Sequence, residues 1–157
     1  MALREILKNG EEALRKKCRP VTNFDGRIGA LLDDLTETLE ASDGAGLAAP
    51  QVGILRRVAV VNVHDKHGTI ELVNPEILEE SGCQTGREGC LSLPNEWCEV
   101  ERPAKVVVKA FDRHGNEFTV TGTELLARAL CHEIDHLDGI LFTDRVKKTL
   151  AGREGAV

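Results

Sequence analysis

Residues 132–136 read His-Glu-Ile-Asp-His, and no other stretch limits the fold of this chain as tightly. They fall where Leu125, Leu126, Ala129, Leu130, Ile134 and Leu137 supply the apolar positions of an amphipathic helix. Thr123 stands at the N-cap position and Gly139 lies just beyond the far end, so the spacing predicts a helix over 124–137. Two His one turn apart leave the same helix face and can share one metal ion. Glu133, about 100° further round, is near enough to reach a water on that ion.

A catalytic site of this type takes three protein ligands and keeps one position open. Downstream the chain has little to offer. In the pattern HExxHxxGxxH, Gly139 fits, but Phe142 occupies the third-ligand position and cannot bind metal. The only later Glu, Glu154, is close to the C-terminus. The third ligand is therefore expected upstream, and the best candidate is Cys90 in Arg87-Glu88-Gly89-Cys90-Leu91-Ser92-Leu93-Pro94. Gly89 beside it lets the backbone approach another group closely. Cys131 points about 100° away from the His face. Cys18, Cys83 and Cys98 are weaker candidates. His64, His67 and His114 fall in predicted turns, where a solvated His is the ordinary case.

Ahead of this helix the pattern changes from period 3.6 to strand-like runs. Residues 11–17 suggest a short helix stopped before Pro20. Asp25 is placed to cap a longer one, with Ile28, Leu31, Leu32, Leu35 and Leu39 at helical spacing through about residue 41. GAGLAAPQVG, 44–53, reads as a tight, bare loop. Strands are expected at 56–63 and in TIELVNP, with ILEESGCQT as a third. Residues 96–102 and 104–112 look like a pair, the latter joined through RHGN to EFTVTG as a hairpin. A short last helix is expected at 144–150. The order, an N-terminal helical region, mostly antiparallel sheets and a C-terminal helix carrying HExxH, is α+β. One domain spanning 1–157 accounts for it.

Composition removes several function classes. The net charge of −6 argues against an electrostatic hold on nucleic acid or anionic lipid. The longest apolar runs are far below the roughly 20 residues of a spanning helix. The N-terminus, MALREILKNGEEALRKK, lacks the apolar stretch of a secretory signal. The five cysteines are odd in number and form no CxxC, so a reducing compartment is expected.

GAGLAAPQ, EGCLS and HEIDH, in that order and spacing, resemble the three motifs of the peptide deformylases, and the likeness runs over nearly the whole chain. The resemblance implies removal of the formyl group from the N-terminal formyl-methionine of newly made polypeptides. It assigns Cys90, His132 and His136 as metal ligands and Glu133 as acid/base. It assigns the Gln51 side-chain amide and the Leu91 backbone N–H to the formyl oxygen. Gly44, Ala45, Gly46 and Gly89 would border the substrate backbone. The implied cofactor is one divalent ion, natively ferrous iron, with zinc, nickel or cobalt as substitutes. The implied setting is the bacterial cytoplasm, for a monomer that acts on nascent chains and associates transiently with the ribosome. Two departures stand out. Cys131 occupies the position before HExxH where the family commonly has Gln, which implies altered packing behind the site and places a thiol near an oxidisable centre. The family's longer C-terminal helix is curtailed.

The chemistry makes sense without the name. A bound metal lowers the pKa of its water toward roughly 7. Glu133 takes the proton as water attacks and returns it to the departing amine. Leu125 and Ala129, one to two turns before the His pair, are candidates to line a pocket for the methionine side chain, and Trp97 is a candidate for nearby surface. Two rival readings use the same residues. A noncatalytic zinc module would need a fourth protein ligand and gives Glu133 no task. A general metallopeptidase differs only in substrate.

Overall fold

The computed structural model describes residues 2–148. A 3-10 turn at Glu12–Arg15 precedes helix α1, Gly26–Glu40. Seven strands follow: β1 (Gly46–Ala48), β2 (Val58–Val61), β3 (Ile70–Ser81), β4 (Gln84–Cys90), β5 (Leu93–Arg102), β6 (Lys105–Phe111) and β7 (Glu117–Thr123). Helix α2, Glu124–Leu137, then leads to a 3-10 turn at Phe142–Arg145 and strand β8, Val146–Lys148. The strands make two antiparallel sheets, one in the order β1-β2-β3-β6-β7 and one in the order β4-β5-β8. β1 and β4 are therefore both edge strands.

The two helices pack against opposite sides of the larger sheet. Val58 and Val60 join the core formed with Ile28, Leu31, Leu32, Leu35 and Leu39 of α1. Val61, with Leu72, Val106, Val108 and Val120, packs under Leu126, Ala127, Leu130 and Ile134 of α2. Being covered on both faces is why β2 reads as an unbroken apolar run and not as an alternation. A smaller core under the second sheet gathers Leu14, Leu93, Val100, Leu141 and Phe142. Among the described residues no helix is long and apolar enough to cross a membrane.

Both helices lie where periodicity places them. Asp25 caps α1, its Oδ1 accepting the Arg27 N–H at 3.0 Å. Thr123 has the extended backbone of an N-cap, but its side chain makes no capping bond. Gly139 ends α2 at φ 75°, and a Cβ there would stand 2.6 Å from the Arg15 carbonyl oxygen. Glycine is thus demanded both by conformation and by the close approach of the N-terminal segment.

Several local expectations are corrected. The 44–53 loop contains β1 and a 3-10 turn at Ala49–Val52. Residues 11–17 give only the 3-10 turn at Glu12–Arg15. TIELVNP and the start of ILEESGCQT form one strand, β3; Pro75 sits at a register shift between Val73 and Glu76, where its missing N–H breaks no ladder. Residues 96–102 and 104–112 are not partners: β5 pairs with β4 and β8, while β6 pairs with β3 and β7. Pro103-Ala104 carries the chain from one sheet to the other. The expected helix at 144–150 is replaced by the end of a 3-10 turn and β8 through residue 148; residues 149 and 150 lie outside the described residues, as does Glu154.

Candidate active site

His132 and His136 stand one turn apart on α2, with ring centroids 5.0 Å apart. Cys90 ends β4 and brings its sulfur to 3.3 Å from His136 Nε2. The ligand atoms of Cys90, His132 and His136 all lie within 4.8 Å of one another, close enough to hold one metal ion. The donor set, one sulfur and two imidazole nitrogens, suits a first-row divalent metal. His132 Nδ1 lies 3.0 Å from Glu88 Oε1, which leaves Nε2 as its free nitrogen, the arrangement common for metal-bound imidazoles. Phe142, the residue that fails as a ligand, stacks on the His132 ring at 6.0 Å instead.

Glu133 is 4% exposed, and its Oε1 has no hydrogen-bond partner. Burial pushes its carboxyl up to about 7. Burial, together with the charge of His132, holds the His136 imidazole well below its usual value. Gly46 makes room for the Glu133 carboxylate, since a Cβ on Gly46 would stand 2.6 Å from Glu133 Oε2.

Gln51 is fully buried in the turn after β1. Its Oε1 accepts the Ala48 N–H at 2.9 Å, which fixes the amide so that Nε2 points toward Cys90 Sγ at 3.7 Å and Ser92 Oγ at 3.0 Å. The residues expected to border the substrate are brought together. Gly44, Ala45, Gly46, Gln51, Gly89, Leu125 and Ala129 line one cleft of about 140 Å³ with Cys90, His132 and Glu133. Leu91 follows Cys90 and packs its side chain over Gly44, where a Cβ would come within 2.8 Å of it. Cys131 faces the sheet core with Leu130 and Ile134. Burial pushes its thiol up to about 11, so it stays protonated and weakly reactive despite its place next to His132. His64, His67 and His114 are exposed in turns.

A buried charge network behind the site was missed. Glu88 accepts from Arg102 Nε at 2.8 Å and Nη2 at 2.9 Å, and from Arg128 Nη1 at 2.6 Å. Arg102 also donates to Asp135 Oδ2 at 2.7 Å, and Arg145 donates to both Asp135 oxygens. Burial alone would raise the Glu88 carboxyl, but hydrogen bonds from Arg102 and His132 outweigh it and hold the group well below the usual carboxylate range. One sequence signal pointed here: Arg128 interrupts the apolar side of the helix in ELLARAL, where only a paired charge is tolerated.

The chain is similar to known proteins over nearly its whole length. A family model described as polypeptide deformylase matches residues 3–151. The peptide deformylase of Caldicellulosiruptor bescii is 56% identical over 154 residues, covering 98% of this chain and 92% of its own length. That of Acetivibrio thermocellus is 59% identical over 146 residues, covering 93% and 85%. The crystal structure of the Thermotoga maritima peptide deformylase superimposes with a TM-score of 0.89 at 38% identity, covering 93% of this chain and 99% of that one. With motifs, fold and near-complete coverage in agreement, the chain belongs to the polypeptide deformylase family.

Proposed function

We propose that this chain, as a single catalytic domain over 1–157, removes the formyl group from the N-terminal formyl-methionine of nascent polypeptides and releases formate. In this reading Cys90, His132 and His136 hold one divalent ion. Ferrous iron is the native choice, with zinc, nickel or cobalt able to replace it. The observation that carries the reading is the convergence of these three ligand atoms within 4.8 Å beside a buried carboxylate, Glu133, with an unpartnered oxygen. When bound, the ion supplies Lewis acidity, which polarises the formyl carbonyl and acidifies a water.

The chain's own residues do the rest. Glu133, poised near neutrality by burial, takes the proton of the attacking water and returns it to the departing amine. The Gln51 Nε2–H and the Leu91 backbone N–H donate to the oxygen as negative charge develops on it, a role worth about 10²–10³ in rate per donor. Glu88 holds His132 in one tautomer through Nδ1. The substrate backbone lies extended between Gly44–Gly46 and Gly89, along the edges of β1 and β4, where unpaired strand groups are available. Its methionine side chain enters the pocket at Leu125 and Ala129. The setting is the bacterial cytoplasm, with transient association with the ribosome.

Formate release from an N-formyl-Met peptide tests this, using protein purified without oxygen, loaded with ferrous iron or nickel, beside a Glu133→Ala control. Rapid release that the control lacks is the expected result. No release from folded, metal-loaded protein would reject it.

A further inference from the structure

Trp97 is the chain's one tryptophan, and it lies on β5 with 45% of its surface exposed. Its ring covers Gly89: a Cβ on Gly89 would stand 2.8 Å from both Cη2 and Cζ3 of the indole. Gly89 in turn lines the cleft. Glu88 pairs directly with Cys98 across β4 and β5, so those two side chains share one face and Gly89 and Trp97 share the other. The Glu88 face is turned to His132, and the Trp97 face is open. Four large apolar side chains stand out as exposed among the described residues: Leu3, Leu78, Trp97 and Leu125. Two of them flank this one cleft. A flat indole seated on a bare glycine at the rim of a substrate groove is a surface suited to stacking.

We propose that Trp97 is a docking platform for the side chain of the second residue of the formylated polypeptide, favouring aromatic and large apolar side chains there. This rests on the deformylase chemistry proposed above. An extended peptide beside β4 alternates its side chains between two faces. With the first side chain turned toward Leu125 and Ala129, the second turns to the opposite face, where the indole lies over Gly89. Aromatic contacts of this kind amount to about three- to tenfold in affinity.

The test compares formate release by metal-loaded protein from formyl-Met-Phe-Ser, formyl-Met-Ser-Ser and formyl-Met-Ser-Phe. The expected kcat/KM ratio for Phe over Ser at the second position is about three- to tenfold. That ratio falls toward one in Trp97→Ala and recovers in Trp97→Phe. The chain has no tyrosine, so its ultraviolet emission reports on Trp97 alone. Saturating Met-Phe-Ser, the reaction's own type of product, shifts that emission in the wild-type protein, and Met-Ser-Ser does not. Equal rates at the second position, a preference confined to the third, or an unchanged emission overturns the platform. Absence of formate release from all three peptides sinks the deformylase reading instead, and the emission titration still judges the platform.

Discussion

Replacing Gly46 with alanine should disable the enzyme while leaving its fold and proposed metal ligands in place. The added Cβ would meet Glu133 Oε2 at 2.6 Å, Cγ at 2.7 Å and Cδ at 2.8 Å. Ordinary contact is about 3.5 Å, so either the carboxylate or the β1 backbone must retreat by roughly 0.9 Å. β1 is fully buried and hydrogen-bonded to β2, and Glu133 is hemmed in on α2. A displacement of about 1 Å in a positioned group costs on the order of 10²-fold in rate. Overpacking of this kind also destabilises by about 1–3 kcal/mol. The assay is formate release at matched metal content, with a thermal melt alongside. Gly26→Ala is the control: it opens α1, and a Cβ there meets nothing within 4 Å. Its activity should match wild type, and its stability should hold or rise slightly. A Gly46→Ala protein that keeps its rate within about threefold of wild type would refute the reasoning, because Glu133 would then tolerate the displacement.

Three further outcomes follow from the charge network and the core. Glu88→Ala should weaken metal affinity by about 10–100-fold, read by competition with a chelator, because His132 Nδ1 loses its partner. It should also destabilise by about 3–5 kcal/mol, since Arg102 would remain buried and half-paired; unchanged affinity would remove Glu88 from the proposed support. The Glu88 carboxyl is depressed in the fold, so its contribution is fully present above its unfolded value of about 4.3 and is lost as pH falls below it. Denaturant midpoints should therefore drop more steeply below about pH 4 in wild type than in Glu88→Gln, and parallel curves would contradict this. Cys131→Ser places a hydroxyl in an apolar core and should cost about 1–3 kcal/mol in denaturant titrations, with kcat unchanged in the folded protein; a large loss of kcat would mean that Cys131 reaches the site.

The elements legible in the sequence are those whose burial pattern is local. Five apolar side chains at helical spacing suffice for α1, and the same holds for α2, because each helix presents one stripe to one sheet face. β2 was equally plain as a β-branched run. The second sheet was not, for a physical reason. β4 is mostly half-buried and holds two glycines, so its sequence carries no apolar–polar alternation, and its pairing with β5 depends on contacts that propensity does not encode. The proposed ligands and Glu133 could be read because their chemistry fixes residue type and spacing together. Glu88, Arg102, Asp135 and Arg145 could not, because an ion pair is defined by two partners far apart in sequence, and each alone looks like an ordinary surface charge. Cys131 was legible for the same local reason as the ligands. It adjoins His132 in sequence, yet helix geometry alone turns it about 100° from the His face, and the thiol lies in the core as that reading requires.

Cys90 ends a strand of the small sheet, whereas both imidazoles ride on a helix packed against the large one. In folding, neither half can assemble the site alone. The helix can offer two nitrogens as soon as it forms, but the sulfur arrives only when the two sheets have docked and the intervening chain, about forty residues carrying β5, β6 and β7, has been brought round at its entropic cost. With the proposed ligand set, tight metal capture would be a late event that registers completed tertiary structure. An unfinished chain would then compete poorly for the ion, and the proposed chemistry would be withheld until the fold that contains it exists.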